Sequence, residues 1–223
     1  MEAIQTNQPD TIADLGGGTG FILKQLLKQQ NLLKTIRLIN VDISPLQQLE
    51  NMDQQIINIQ TSIDQLTRNQ LQPNKNGLML IARSILHYFG EANLKDILQQ
   101  IRNLLKNGEI FIHQTACFEK ITDAQCLNEI YKLMDTQKWY TTINVLKSVL
   151  TDVGFQVYEV CTASNLQLES NDLVERYHLN SERVKIIQEQ IEQKYGQKTH
   201  IFTCSPGNFT AWLHYTIFSC KAI

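Results

Sequence analysis

The apolar positions fall into two kinds of run. Short apolar runs at 11–13, 36–41, 56–59, 78–82 and 109–114 predict strands, those at 36–41 and 78–82 buried on both faces. Between them apolar residues recur at helical spacing. Phe21, Ile22, Leu23, Leu26 and Leu27 form one such set, and 45–53 predicts a short helix. Residues 93–106 predict an amphipathic helix with Leu94, Ile97, Leu98, Ile101, Leu104 and Leu105 on one face, closed by Asn107-Gly108. Helices are predicted over 124–136 and 143–152, and Gly154-Phe155 opens a sixth strand. Asn31 falls in a connecting turn, and residues 72–77 are a turn cluster.

The pattern changes after residue 161. Residues 171–177 and 181–195 predict helices, the second with Val184, Ile187 and Ile191 inward and Ser181 as N-cap. A strand is predicted at 199–204, a turn at Ser205-Pro206-Gly207-Asn208, and a last, aromatic-rich strand over 209–222. Residues 1–10 are polar and predicted loose. No repeat, low-complexity tract or interdomain linker breaks the chain, so 1–223 is taken as a single domain, with 162–208 inserted in it.

The chemistry-bearing stretch lies between the first strand and the first helix. It reads Asp14-Leu15-Gly16-Gly17-Gly18-Thr19-Gly20. Glycines suit a turn that needs positive φ and a ligand that must reach bare backbone. A helix start adds free N–H groups. Dinucleotide folds carry G-x-G-x-x-G there, with a pyrophosphate on the helix. This loop is G-x-G-x-G, from Gly16, Gly18 and Gly20, with Asp14 two residues before the first glycine. An anion there suits a ligand with a cationic ammonium and sits badly beside a pyrophosphate.

The pattern resembles the first motif of class I S-adenosylmethionine-dependent methyltransferases, and the resemblance extends over residues 11–160 and the final strand. It implies an α/β fold: a Rossmann-like, mostly parallel seven-stranded sheet with an antiparallel last strand, helices on both faces and a helical insertion before that strand. It implies S-adenosyl-L-methionine as cofactor and S-adenosyl-L-homocysteine as product. Asp14, Gly16, Gly17, Gly18 and Gly20 would hold the amino-acid end. Asp42, at the end of the second strand and about twenty residues beyond the glycines, would accept both ribose hydroxyls. Its other reading is that it only starts the turn at Ser44-Pro45. Ser62 and Ile63 stand where the family often has Asp-Ala against the adenine, and Ile43 and Ile63 would sandwich the ring. Ala82 and Arg83, both in the expected cofactor-binding set, end the strand that passes the methyl group; Arg83 would otherwise anchor substrate or make a salt bridge within the fold. The Leu104–Gln114 stretch resembles the family's Leu-x-Pro-Gly-Gly turn, with Asn107 for Pro and Glu109 for the second Gly. Asn-Pro-Pro-Tyr is missing after the fourth strand, which argues against amide or adenine nitrogens as acceptors.

Composition narrows the partners. The chain of 223 residues is 43% hydrophobic and 19% charged, with a net charge of −2. That balance supplies no strong basic field for nucleic acid, and it favours a small-molecule acceptor. The five cysteines are odd in number and form no C-x-x-C, which fits a reducing cytoplasm. The five histidines have no zinc spacing, so no metal is expected. No signal peptide and no membrane-spanning run stand out.

Methyl transfer needs a nucleophile held near the methyl carbon and, for a hydroxyl of high pKa, a base. His87 and His113 are the expected catalytic candidates. Tyr88, Tyr140, Arg176, Tyr177, His178 and His214 are candidates for the acceptor side; Arg176 and His178 either bind an acceptor carboxylate or are ordinary surface. The family joins its last two strands by a short hairpin, whereas here roughly fifty residues intervene, well beyond an ordinary connection. The insertion is expected to cap the active site, in place of the helices the family carries before its first strand. Its rival role is a partner-binding or homodimer arm. The expected function is methyl transfer to an oxygen or nitrogen of a small molecule. Alternatives are a non-catalytic S-adenosylmethionine-binding module of a larger assembly, a methyltransferase acting on protein, and a nicotinamide-dependent oxidoreductase.

Overall fold

The computed structural model describes residues 2–29, 35–49, 54–73 and 77–223. The predicted turn at Asn31, residues 50–53 of the short predicted helix and residues 74–76 of the turn cluster lie outside the described residues.

The first four predicted strands form as β1 (Thr11–Leu15), β2 (Arg37–Asp42), β3 (Ile56–Gln60) and β4 (Leu78–Arg83). Then come β5 (Ile110–Phe118), a two-residue β6 (Thr141–Thr142) and β7 (Phe155–Thr162). The last strand of the main sheet is β11 (Tyr215–Ala222), and the order is β3-β2-β1-β4-β5-β11-β7, with β6 beside the end of β5. The pairs among the first five strands are parallel, and β11 runs antiparallel to both β5 and β7. This is the expected seven-stranded, mostly parallel sheet with an antiparallel last strand. All five residues of β1 are buried, as its central place requires. The direction of winding reverses between β1 and β4, so the crevice beyond their carboxyl ends is the natural ligand position.

Helices α2 (Phe21–Leu27), α3 (Pro45–Leu49), α4 (Arg68–Leu71), α5 (Gly90–Asn103), α6 (Ile121–Leu133) and α7 (Ile143–Asp152) connect these strands. The predicted inward face of α5 buries Leu94, Ile97, Leu98 and Ile101. Residues predicted loose at the start form a short helix, α1 (Glu2–Asn7). The single apolar anchor Ile4 explains the difference: it packs with Ile12, Leu38, Met79 and Ile110 on one face of the sheet.

The insertion contains β8 (Leu166–Glu169), α8 (Ser170–Tyr177), α9 (Ser181–Tyr195), β9 (Phe202–Ser205) and β10 (Asn208–Leu213). Two expectations change here. Asn180, rather than Ser181, caps α9, because its side chain accepts the Arg183 N–H at 2.8 Å. The run 209–222 splits at His214 into β10 and β11. Phe209, Ala211 and Leu213 turn into the insertion's core, and β10 pairs with β8 and β9 in a separate three-stranded sheet. The insertion is therefore two helices on a small antiparallel sheet. Its core is shared with Ala124, Leu127 and Ile130 of α6 and with Phe118, four residues beyond the predicted end of β5. Because β7 runs parallel to the first five strands, its end at Thr162 puts the insertion at the carboxyl edge of the sheet, the edge that carries the glycine loop.

The opposite edge is tied by Glu109. Its carboxylate, 10% exposed, pairs with the Arg68 guanidinium and accepts the N–H groups of Leu78 at 2.9 Å and Lys106 at 2.7 Å. One side chain thus links β4, α4 and the turn into β5, at the place where the resembled turn carries glycine. Glu109→Ala takes the carboxylate from Arg68, which keeps only the Leu104 carbonyl, and leaves two amides without their acceptor. The expected loss is about 3 kcal/mol of unfolding free energy, measured by urea denaturation.

Candidate functional site

The loop after β1 bends through alternate left-handed glycines: φ is 64° at Gly16, 55° at Gly18 and 73° at Gly20. Side-chain-bearing residues rarely adopt these values. The intervening Gly17 is required for space, since a Cβ there would lie 2.2 Å from Asn40 Oδ1 and 2.8 Å from Asp14 Cγ. The amides of Gly16 and Gly17 both donate to the Val41 carbonyl, at 2.8 and 3.2 Å. Gly20 ends the loop as the residue preceding α2.

Two side chains of β2 hold Gly18. Asp42 Oδ2 accepts its N–H at 2.8 Å, and Asn40 Nδ2 donates to its carbonyl at 2.9 Å. Asp42 Oδ1 also accepts the Ser44 N–H at 2.8 Å, so the turn-starting role is real.

A cavity of about 280 Å³ opens beside the loop. Asp14, Gly16, Gly17, Gly18 and Arg83 line it, with Thr19, Phe21, Ile22 and Gln47. Asp14 is 2% exposed, and its carboxyl makes no hydrogen bond or ion pair among the described residues. Burial pushes its pKa up to about 7; Arg83 works against that rise and Asp42 adds to it. The Arg83 guanidinium stacks over the Phe21 ring, 5.0 Å from its centroid.

The other expected cofactor residues, Gly20, Asp42, Ile43, Ser62, Ile63 and Ala82, are not among those that line this cavity. Asp42, 9% exposed, stands behind Gly18, and Ile43 beside it is 69% exposed. Ser62 is half-buried in the turn after β3, which the Thr61 N–H ties to the Asp42 carbonyl at 3.2 Å. Ile63 and Ala82 are buried in the main core. The expected ring sandwich therefore has an exposed side chain only at Ile43, because Ile63 packs inward with the core.

The two histidines differ from expectation. His113 is 1% exposed and stacks on Phe111 and Phe218, with centroids 4.8 and 5.0 Å away. Neither ring nitrogen has a hydrogen-bond partner among the described residues, and burial lowers its pKa to about 3. It is a core residue, and the role of base is not carried forward for it. His87 lies on the 3₁₀ turn Leu86–Tyr88 after β4 and stacks on Tyr88 and Tyr140, at 4.3 and 5.3 Å. Burial first, then Lys138 and Arg176, lower its pKa to about 3. At neutral pH it is an uncharged imidazole, a donor and acceptor of hydrogen bonds but a weak base.

The turn at His87 forms one wall of an aromatic group with Tyr131, Tyr140 and Tyr177. Tyr215 closes toward β4 by a 3.1 Å hydrogen bond between its hydroxyl and Ser84 Oγ. Arg176 and His178 are exposed on and just beyond α8, and His214 Nε2 bonds to the His200 carbonyl at 2.7 Å. Sequence reasoning missed Asn40, Ile85 and Lys138. Asn40 had a readable signal, a polar residue inside an apolar strand. Ile85 sits under the loop, 2.6 Å from where a Gly16 Cβ would stand. Lys138 had no signal at all: it approaches Tyr88 and Tyr177 only through the fold.

Residues 12–108 match the family described as a methyltransferase domain. The YcgJ protein from Bacillus subtilis shares the fold of nearly the whole chain, with a TM-score of 0.74 at 12% identity over 99% of this chain and 96% of that one. A proposed methyltransferase from Bacillus halodurans C-125 gives 0.71 at 13% identity, over 95% and 91%. The [4+2]-cyclase SpnF gives 0.54 at 13% identity, over 95% and 75%. No curated protein sequence matches the chain. Residues 12–108 are thus similar to the methyltransferase-domain family, and the chain as a whole shares the Rossmann-like α/β fold of these solved structures.

The raised pKa of Asp14 has a sign that unfolding can read. The folded protein holds this proton more tightly than the unfolded chain, so stability falls as pH rises from about 4 to about 7 and then levels off. Asp14→Asn removes the titrating group. Urea denaturation between pH 4 and 8, without ligand, is expected to show a shallower decline for the variant than for the wild type.

Proposed function

We propose that the chain is an S-adenosylmethionine-dependent methyltransferase acting on a small molecule. One observation carries this reading: a nearly buried carboxyl, Asp14, lines a cavity walled by bare glycine backbone and has no hydrogen-bond or ion-pair partner among the described residues. A desolvated carboxyl without a partner is costly, and an ammonium is the group that would relieve it. The cradle also fits, since Cβ atoms at Gly16 and Gly17 would collide with Ile85, Asn40 and Asp14.

In this reading Asp14 meets the ammonium of the amino-acid end, and Arg83, on the same cavity, its carboxylate. Asp42 accepts from the ribose while keeping the Gly18 N–H. Ile43 and Ser62 lie toward the adenine. The cofactor supplies an electrophilic methyl group on a sulfonium, so the protein's task is position and electrostatics. His87 contributes a neutral imidazole that hydrogen-bonds the acceptor. With a pKa of about 3 it suits nucleophiles that are already neutral amines or ionised oxygens better than hydroxyls of high pKa.

The insertion serves as the cap, over about 163–214 rather than 162–208. Its departure from the carboxyl edge and the use of its apolar residues in a core shared with α6 support this over a homodimer arm. All five cysteines are free, which suits a cytoplasmic setting, and the acceptor is taken as the partner in preference to nucleic acid. Among the described residues no helix is long and apolar enough to cross a membrane.

A second reading, cofactor binding without methyl transfer, is favoured by one comparison: a protein of this fold is a [4+2]-cyclase, so fold and transfer are separable. Turnover of labelled methyl donor against an acceptor panel separates the two readings.

Binding is tested first. S-adenosylhomocysteine is expected to raise the Tm, with no effect from NAD or NADP; absence of any shift with S-adenosylhomocysteine sinks the proposal. Asp42→Ala is expected to weaken its binding by about 1–3 kcal/mol in calorimetry, through unpaired ribose hydroxyls and a looser Gly18. Because Asp14 must lose its proton to meet an ammonium, affinity is expected to fall about tenfold for each pH unit below 7. Asp14→Asn should flatten that dependence.

A further inference from the structure

Four residues beyond Arg83 the chain enters the aromatic group, and at its centre is an ammonium. Lys138 Nζ stands 4.7 Å from the ring centroid of Tyr88, 5.2 Å from Tyr177 and 5.4 Å from Tyr131. It donates to the Tyr177 hydroxyl at 2.6 Å. Trp139, the next residue, donates its backbone N–H to the His87 carbonyl at 3.0 Å, which fixes the lysine beside the turn that follows β4. Tyr177 comes from the cap and Tyr88 from the main sheet, so the lysine sits where the two meet.

What this group lacks is an anion. Lys138 is half-buried and makes no ion pair among the described residues. Arg176, beside Tyr177 on α8, is a second cation close enough to be felt by both Lys138 and His87, and it too has no ion pair there. His87 is nine-tenths buried, and its Nδ1 has no hydrogen-bond partner among the described residues. Ring faces attract a cation, but they do not neutralise it. A partly desolvated ammonium within the field of a guanidinium costs free energy that a bound anion would recover.

We propose that Lys138, assisted by Arg176, binds a carboxylate or phosphate carried by the methyl acceptor, with the tyrosine rings packing on the acceptor's body. The word acceptor rests on the methyltransferase reading; the anion site itself does not. Cationic acceptors are excluded by the same two charges.

The test uses small probes, with binding followed by saturation-transfer NMR titration in the presence and absence of S-adenosylhomocysteine. Benzoate and phenyl phosphate represent the two anion types, and benzylamine the opposite charge. At least one anion is expected to bind saturably, in the roughly millimolar range usual for a fragment, and benzylamine much more weakly. Lys138→Met keeps the apolar stem and is expected to weaken the anion about tenfold or more while leaving S-adenosylhomocysteine affinity unchanged. Arg176→Met, at an exposed position, should weaken it less and serves as the comparison if the lysine variant does not fold. The stronger of the two anions distinguishes carboxylate from phosphate. Saturable binding of neither anion, equal anion affinity in wild type and variants, or benzylamine binding as well as the anions overturns the proposal. Failure of S-adenosylhomocysteine to bind, with the anion result intact, removes the methyltransferase reading alone.

Discussion

The Asp42 carboxylate stands at the junction on which the site depends. One oxygen accepts the Gly18 N–H and the other the Ser44 N–H, so the end of β2 carries the bend that follows β1. Asn40, two residues earlier on the same face, holds the Gly18 carbonyl. A loop of left-handed glycines has no side chains with which to hold itself, and glycine gives up the most conformational freedom on folding. Its shape must be imposed by neighbours, and here the neighbour strand imposes it. The same constraint keeps Gly17 bare and leaves Asp14 accessible to a ligand and to little else.

That arrangement leaves a charge problem at each end of the active side. Beside the loop, the Asp14 carboxyl is kept from water and makes no ion pair among the described residues, although Arg83 acts on it across the cavity. Beside the insertion, the Lys138 ammonium makes no ion pair among the described residues and has rings around it. Unpaired groups of this kind lower the stability of the protein alone, and they are where a ligand gains most on binding. The two sites have opposite polarity, which suits two ligands of different charge brought to one edge of the sheet.

The cap owes its position to strand direction. With β7 parallel to β1 and β11 antiparallel, the connection between them can leave only from the carboxyl edge. A separate core, reaching Phe118 of β5 and one face of α6, then attaches the insertion to the main sheet. The insertion therefore adds aromatic residues beside a glycine loop that is held without it.

Local patterns in the sequence determined the main strands and helices, because period 2 and period 3.6 are properties of neighbouring residues, but not the short α1, α4, β6 and β8. The glycine loop was legible for the same reason, and with it the places of Asp14 and Asp42 in the chain, one next to the end of β1 and one at the end of β2. Other features were decided by packing between distant segments. Whether His113 faced the crevice or the core depended on Phe218, more than a hundred residues away. The split of the last apolar run at His214 depended on β8 and β9 offering β10 a second sheet. Ile63 reads as a ring contact from its place after β3 but is drawn into the core with Leu66 and Leu71. The setting of Lys138 has no local signature, since its rings come from the turn after β4, from α6 and from the cap. Local spacing encodes which backbone can form; only the closed fold decides which side chains lose water together.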